Sequence, residues 1–160
     1  MRRTTIALTC ICCCLAALAQ TRKAGLWELT TTMTYHQSSS PSAPPAPRPH
    51  VTNICVTQEE LDRYGAIVPR MPGCQVTSVV KKPGGMTGEM VCSGSLSGKA
   101  TLESAAIEGS DGTRAKGSIH FSGTMGNGAS VRPVEWTTST TSVFKGADCG
   151  DIKTSTLPSK

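Results

Sequence analysis

The stretch Gly98–Gly123, GKATLESAAIEGSDGTRAKGSIHFSG, decides the fold of this 160-residue chain. Asp111-Gly112 near its middle predicts a tight turn, because a two-residue hairpin turn needs positive φ at both positions. On either side, apolar and polar residues alternate with the period of two that is typical of half-buried strands. A turn centred on these two residues places Glu103 opposite His120 and puts most apolar side chains on one face. The stretch therefore predicts an antiparallel hairpin.

The chain on both sides of this hairpin shows the same pattern. Gly25–Tyr35 alternates cleanly and predicts a half-buried strand. Thr57-Gln58-Glu59-Glu60 matches a capping box and predicts one short helix that ends at Gly65. Further strands are expected at Val51–Cys55, Gln75–Lys81, Met86–Ser93 and Val131–Phe144. The chain is therefore predicted to be all-β, an antiparallel meander of about seven strands that forms a barrel or a sandwich, with one short helix.

The first 19 residues have the pattern of a secretory signal peptide. Arg2 and Arg3 precede an uncharged apolar run from Ile6 to Leu18, and Ala17-Leu18-Ala19 is a small-residue cleavage site. The apolar run is shorter than the roughly 20 residues that span a bilayer. We therefore expect export to the periplasm by the Sec route, with secretion as the alternative, and no transmembrane segment in the mature chain.

The remainder is expected to form one domain. Residues 20–150 are predicted as a single β-domain, and residues 151–160 as a C-terminal tail. Residues 36–50 contain five prolines and four serines and predict an extended loop within the domain. The signal peptide carries two of the 16 basic residues and no acidic one, so the mature net charge is +3 instead of +5. This charge is too small to indicate a nucleic-acid partner.

Four of the eight cysteines lie in the signal peptide, which leaves Cys55, Cys74, Cys92 and Cys149 and three ways of pairing them. In a hairpin centred near Pro83, opposite residues have numbers that sum to about 166, as those of Cys74 and Cys92 do. This favours the disulfides Cys74–Cys92 and Cys55–Cys149, within the reach of the bond. Zinc sites usually contain close pairs such as C-x-x-C, which are absent here, so we expect no metal.

No motif in the sequence indicates catalysis. The three histidines, His36, His50 and His120, are not spaced as metal ligands, and no Gly-x-Ser-x-Gly segment is present. No glycine-rich phosphate loop follows a strand and opens a helix. We therefore expect a protein that is not an enzyme, without catalytic residues and without a cofactor.

Trp27 and Trp136 are the most distinctive large side chains, and the sequence leaves two interpretations of them open. They fill the core, or they form the wall of an apolar cavity, since antiparallel barrels can enclose a ligand. In the second interpretation Met33, Met90 and Phe121 complete the lining.

An ordered set of short motifs carries a family resemblance. It comprises the signal peptide, Gly25-Leu26-Trp27-Glu28, Cys55 followed by Thr57-Gln58-Glu59-Glu60, the pair Cys74 and Cys92, and Gly146-Ala147-Asp148-Cys149-Gly150. In these features the chain resembles the DUF3617 family of uncharacterised bacterial exported proteins, over residues 23–150. The Pro/Ser insert at residues 36–50 departs from the family's usual pattern. The resemblance implies a bacterial, periplasmic location and no known activity.

Two functions are therefore expected as the main alternatives, and a hydrolase with an unrecognised site is the third. The first is a periplasmic protein that binds a small apolar molecule or lipid. The second is a non-catalytic structural or interaction protein of the cell envelope, whose partner would be another envelope protein.

Overall fold

A computed structural model describes residues 22–36 and 48–152 of the chain and shows one seven-stranded antiparallel sheet with one short helix. The strands are β1 (Gly25–Tyr35), β2 (His50–Val56), β3 (Cys74–Lys82), β4 (Gly85–Cys92), β5 (Leu96–Ala106), β6 (Arg114–Met125) and β7 (Arg132–Gly146), and the helix is α1 (Gln58–Tyr64). Their order in the sheet is β2-β1-β7-β6-β5-β4-β3. Among these residues, the predicted all-β class, the number of strands and the one short α-helix are confirmed.

The sheet is open, so the expected closure into a barrel or a sandwich does not occur. Strands β2 and β3 lie at opposite edges of the sheet and do not pair with each other. The connection between them, residues 57–73, contains α1 and crosses one face of the sheet; we call it the cover. Its apolar side chains Leu61, Ala66, Ile67 and Val68 are buried against the sheet. The cover thus occupies the space that a second sheet would fill in a sandwich.

Several predicted segments lie outside the described residues. These are the signal peptide at residues 1–19, most of the predicted loop at 36–50, and the tail from residue 153 onward. Within the described part of the chain, no helix has the length and apolar character needed to cross a bilayer.

The β5–β6 hairpin turns at Asp111-Gly112 as predicted. Both residues have positive φ, 47° and 72°, and the Ser110 carbonyl oxygen accepts a hydrogen bond of 2.8 Å from the Thr113 N–H. A second turn precedes this one, in which the Ile107 carbonyl oxygen accepts a hydrogen bond of 3.2 Å from the Ser110 N–H. The loop is therefore longer than a two-residue connection, and the centre of the hairpin moves by one residue.

The longer loop changes the register of the hairpin, so the predicted pairing of Glu103 with His120 is wrong. Glu103 lies opposite Ser118, and His120 lies opposite Thr101. The His120 Nε2 atom is instead 3.4 Å from a carboxylate oxygen of Glu135 on β7. Because the register differs by two residues, every side chain stays on its predicted face.

Helix α1 begins and ends where the sequence predicts. The Thr57 hydroxyl accepts a hydrogen bond of 3.1 Å from the Glu60 N–H, and the Thr57 N–H donates one of 3.0 Å to the Glu60 carboxylate. Gly65 ends the helix in the left-handed conformation with φ of 70°. Residues after it leave the helix axis and return across the sheet.

Apart from Cys55, the buried side chains of the strands lie on one face of the sheet, which we call the inner face; the opposite one is the outer face. The inner face carries Trp27 and Leu29 of β1, Phe121 of β6 and Trp136 of β7. The rings of Phe121 and Trp136 stack with centroids 5.2 Å apart, and Phe144 packs edge-on against Trp27 at 5.5 Å. Alternation along the strands therefore produces a one-sided core, completed by the cover.

Two opposed glycines make room for the contact between Phe121 and Trp136. Gly98 of β5 and Gly123 of β6 are cross-strand partners. A Cβ atom at either position would lie within 3.0 Å of the Phe121 Cζ atom. Since neither residue has a side chain, the Phe121 ring fits against both backbones and keeps its stacking on Trp136.

Both predicted disulfides are present. Cys74 and Cys92 lie directly opposite each other on β3 and β4, with Cα atoms 3.9 Å apart. The hairpin itself pairs Lys82 with Gly85, and a bulge between Val76 and Ser78 shifts the register by one residue to align the two cysteines. Cys55 and Cys149 join β2 to the chain after β7, with Cα atoms 5.5 Å apart.

Removal of the disulfides is expected to destabilise the domain to different extents. Their sequence separations are 18 and 94 residues. The loop-entropy model assigns about 3 kcal/mol to the shorter loop and about 5 kcal/mol to the longer one. The double variant Cys55→Ala/Cys149→Ala should therefore lose more free energy of unfolding than Cys74→Ala/Cys92→Ala, measured by urea denaturation. The opposite order would contradict the loop-entropy explanation.

A methyl group at Gly123 is expected to disrupt the aromatic packing. It would overlap the Ser97 carbonyl oxygen and lie 2.8 Å from the Phe121 Cζ atom, so Gly123→Ala should cost about 1–3 kcal/mol. Gly146→Ala is the matched control, because a methyl group at this strand glycine meets nothing within 4 Å. Thermal unfolding compares the two, and equal stability of both variants would show that the glycine pair is not needed.

Candidate functional site

A groove of about 610 Å³ lies between the inner face of the sheet and the cover; we call it the inner groove. The sheet contributes one wall, β2 contributes an edge, and residues 66–72 of the cover form the other wall. Its main lining residues are Leu29, Thr31, Met33, Ile54, Ile119, Trp136, Thr138, Thr140, Ala66, Ile67, Val68, Pro69, Met71 and Pro72. The volume falls in the range of small-molecule sites, about 300–1,000 Å³.

The sheet wall of the inner groove combines large apolar side chains with a row of hydroxyl groups. The register pairs Thr31 of β1 with Thr140 of β7, and Met33 with Thr138. The Thr31 and Thr140 hydroxyl oxygens are 3.0 Å apart and hydrogen bonded to each other. Because these hydroxyls share a hydrogen bond within the wall, they lie next to the apolar side chains at a lower desolvation cost.

The cover wall follows from the end of helix α1. After Gly65 the chain is apolar and rich in proline, with the sequence AIVPRMP over residues 66–72. Ala66, Ile67 and Val68 are buried, so they hold this wall against the sheet. The proline residues at 69 and 72 lack an N–H group and fix φ, which suits an extended segment without strand partners.

Four charged or titratable side chains are also among the lining residues of the inner groove, and we call them the rim. The rim consists of Arg48 and His50 from β2 and its approach, Glu60 from α1, and Arg70 from the cover. Arg70 pairs with a carboxylate oxygen of Glu60, and the second oxygen of Glu60 accepts the Thr57 N–H. The site is therefore amphipathic, with an apolar floor and a charged rim.

Arg22 fastens the cover to the sheet. Its guanidinium donates a hydrogen bond of 2.8 Å to the Gly65 carbonyl oxygen at the end of α1 and one of 3.1 Å to the Ser104 hydroxyl on β5. The side chain is 7% exposed, and its Nε atom has no hydrogen-bond acceptor among the described residues. Burial lowers the pKa of the Arg22 guanidinium below its ordinary value because the charged form is desolvated.

The five residues proposed from the sequence as a ligand lining are divided by the structure. Met33 and Trp136 line the inner groove. Phe121 and Met90 lie in the same core cluster as Trp136 and are fully buried behind the wall. Trp27 belongs to a second cluster of buried apolar residues near β2, and its indole N–H donates a hydrogen bond of 2.9 Å to the Lys23 carbonyl oxygen.

Sequence reasoning missed the cover wall and the charged rim. Ile119, Ile67 and Arg70 all line the groove, and none was singled out. One signal was available, because the apolar run after Gly65 follows a helix stop and does not alternate as a strand does. Such a run must be buried somewhere, although the sequence does not show against which strands.

The outer face carries a second hollow and two neighbouring histidines, His36 and His120. The hollow, of about 560 Å³, is lined mainly by hydroxyl side chains of β1, β6 and β7 together with Lys82, Glu103 and Lys116. Outside it, the His36 Nε2 and His120 Nδ1 atoms lie 2.7 Å and 3.2 Å from the Thr137 hydroxyl oxygen. In residues 22–36 and 48–152, no group of three or more potential ligand side chains is arranged to hold a metal ion.

The fold and the inner groove define an open, disulfide-linked antiparallel β-domain with an amphipathic groove under a helical cover. The family model described as "Protein of unknown function (DUF3617)" matches residues 22–149, so the chain belongs to the DUF3617 family. The family resemblance seen in the sequence is thereby confirmed. No curated protein and no solved structure matches the chain.

Loss of Arg22 is expected to loosen the cover. Arg22→Ala removes two hydrogen bonds from a charged donor, and hydrogen bonds of this kind contribute about 1.5–3 kcal/mol each. The variant also no longer buries a guanidinium charge, which offsets part of this loss. We expect the free energy of unfolding in urea to fall by about 2 kcal/mol. Arg63→Ala is the control, since Arg63 forms an exposed ion pair with Glu59 and should change stability by less than about 0.5 kcal/mol. Equal effects of the two variants would refute a structural role for Arg22.

Proposed function

We propose that this protein is a non-catalytic binding protein of the bacterial periplasm that holds a small apolar molecule or lipid in the inner groove. The observation that carries this proposal is the groove itself, about 610 Å³ in volume and lined mainly by apolar side chains. Small-molecule sites are typically concave and apolar with a few placed polar groups. The inner groove has this composition.

The lining supports an apolar ligand in particular. Leu29 and Trp136 are buried to more than nine-tenths at the sheet wall, whereas Met33 is 38% exposed at the open end. A ligand chain lying along this wall would remove Met33 and its neighbours from water. Burial of apolar surface on binding contributes about 25 cal/mol per Å² before the entropic cost of association.

The periplasmic location rests on the signal-peptide pattern and on the two disulfides. Disulfides persist in oxidising compartments and are rare in the cytosol. The pairs Cys55–Cys149 and Cys74–Cys92 fit such a compartment.

The alternative function, a non-catalytic interaction protein of the envelope, has one observation in its favour. The outer hollow presents hydroxyl groups together with Lys82, Glu103 and Lys116, a polar surface that suits an envelope protein as partner. If this alternative holds, a co-precipitated partner should be lost on Lys116→Glu and retained on Met33→Glu.

Binding is tested with the uncharged apolar dye N-phenylnaphthylamine, whose fluorescence rises in apolar sites. We expect saturable binding that decanol displaces. Met33→Glu should weaken dye binding by tenfold or more, because a carboxylate at the mouth of the groove must be desolvated when the ligand enters. The matched control is Val91→Glu, a similarly exposed position on the outer face, 44% against 38%.

The two variants decide the location of the dye. If Val91→Glu weakens binding as much as Met33→Glu does, the dye binds elsewhere and the inner groove is not the site. Dye fluorescence that rises without saturation would indicate non-specific adsorption and would overturn the proposal.

A further inference from the structure

Thr138 is a buried polar side chain in the sheet wall of the inner groove. It lies on the inner face of β7, lines the groove and is 6% exposed. Its cross-strand neighbours are Met33 on β1 and Ile119 on β6. Neither neighbour has a strong hydrogen-bonding group, so the Thr138 hydroxyl lies between apolar side chains on both adjacent strands.

The Thr138 hydroxyl has no hydrogen-bond partner among residues 22–36 and 48–152. Two residues further along β7, the Thr140 hydroxyl is bonded to that of Thr31 at 3.0 Å. Thr138 has no equivalent bond, because Met33 occupies the position opposite it on β1. A buried hydroxyl without a partner is unfavourable, and most buried polar groups in proteins are paired. An oxygen of a ligand in the groove would supply the partner.

The surroundings of Thr138 favour an uncharged oxygen. The charged or titratable lining residues of the groove belong to α1, the cover, and β2 with its approach, and none belongs to β7 or to its neighbours β1 and β6. An ionised head at Thr138 would lose its hydration among apolar side chains without a counter-charge beside it. A threonine hydroxyl both donates and accepts, so it can bond to an alcohol or to a carbonyl oxygen.

We infer that the ligand of the inner groove is an uncharged lipid-like molecule with a hydroxyl or carbonyl oxygen, and that this oxygen is hydrogen bonded to Thr138. Its hydrocarbon part then contacts the apolar side chains around Thr138, namely Met33, Ile119 and Trp136. This inference rests on the proposed function.

Displacement of the bound dye by matched ten-carbon compounds tests the inference, after correction for the affinity of the dye for each variant. Decanol carries a hydroxyl and methyl nonanoate a carbonyl, whereas chlorodecane has no oxygen. Thr138→Val removes the hydroxyl and nearly keeps the side-chain volume. It should weaken the binding of decanol and methyl nonanoate about tenfold, because the oxygen of each then enters the groove without a partner. It should not weaken the binding of chlorodecane.

Two further variants separate the hydrogen bond from a change in packing. Thr138→Ser retains a hydroxyl and loses a methyl group, so it should keep the affinity for decanol relative to chlorodecane. Thr141→Val is the matched control, because Thr141 is exposed on the outer face of the same strand, opposite Thr30 of β1. It should leave the binding of all three compounds unchanged.

The outcomes separate this inference from the proposed function. If the dye and all three compounds fail to bind, both are overturned. If all three displace the dye and Thr138→Val changes their affinities equally or not at all, the groove binds apolar molecules but the hydrogen bond to Thr138 is refuted. If decanoate displaces the dye at the same concentration as decanol or a lower one, the ligand oxygen is not restricted to an uncharged group and the inference is refuted.

Discussion

An open sheet with one apolar face must have that face covered, and this constraint shapes the rest of the molecule. Within residues 22–36 and 48–152, β2 and β3 are the edges of the sheet, and the connection of residues 57–73 buries the inner face. A stretch of this length covers part of a seven-stranded sheet and leaves the inner groove beside it. The capping box of α1, the stop at Gly65 and the Arg22 hydrogen bonds all serve to hold this connection in place.

The position of the disulfides follows from the same constraint. Cys55 lies where β2 leads into the cover, and Cys74 lies where the cover leads into β3. Each is bonded to a cysteine of another segment, Cys149 and Cys92 respectively, so both ends of the cover are fastened covalently. An amphipathic groove with fixed walls loses little conformational entropy when a ligand binds, which favours affinity.

Much of the fold could be predicted because its signals are local. Period-two alternation marked β1 over Gly25–Tyr35 with the observed bounds, and the capping box marked α1. The register of the β5–β6 hairpin could not be predicted from Asp111-Gly112 alone, because the preceding turn at Ile107 adds residues to the loop. In the β3–β4 hairpin, the turn lies half a residue away from the predicted centre, and the bulge beside Thr77 shifts the register back. Cys74 and Cys92 are therefore partners, as predicted from residue numbers that sum to about 166.

By itself, the sequence determined which residues form strands, which faces are apolar and which cysteines pair, since each depends on spacing along one or two neighbouring segments. Only the tertiary structure decided that the sheet stays open, that Met33 and Trp136 line a groove while Trp27, Met90 and Phe121 do not, and that Arg70 reaches its rim. These features depend on how the cover lies across strands distant in sequence. Long-range packing of this kind has no local pattern from which it could be predicted.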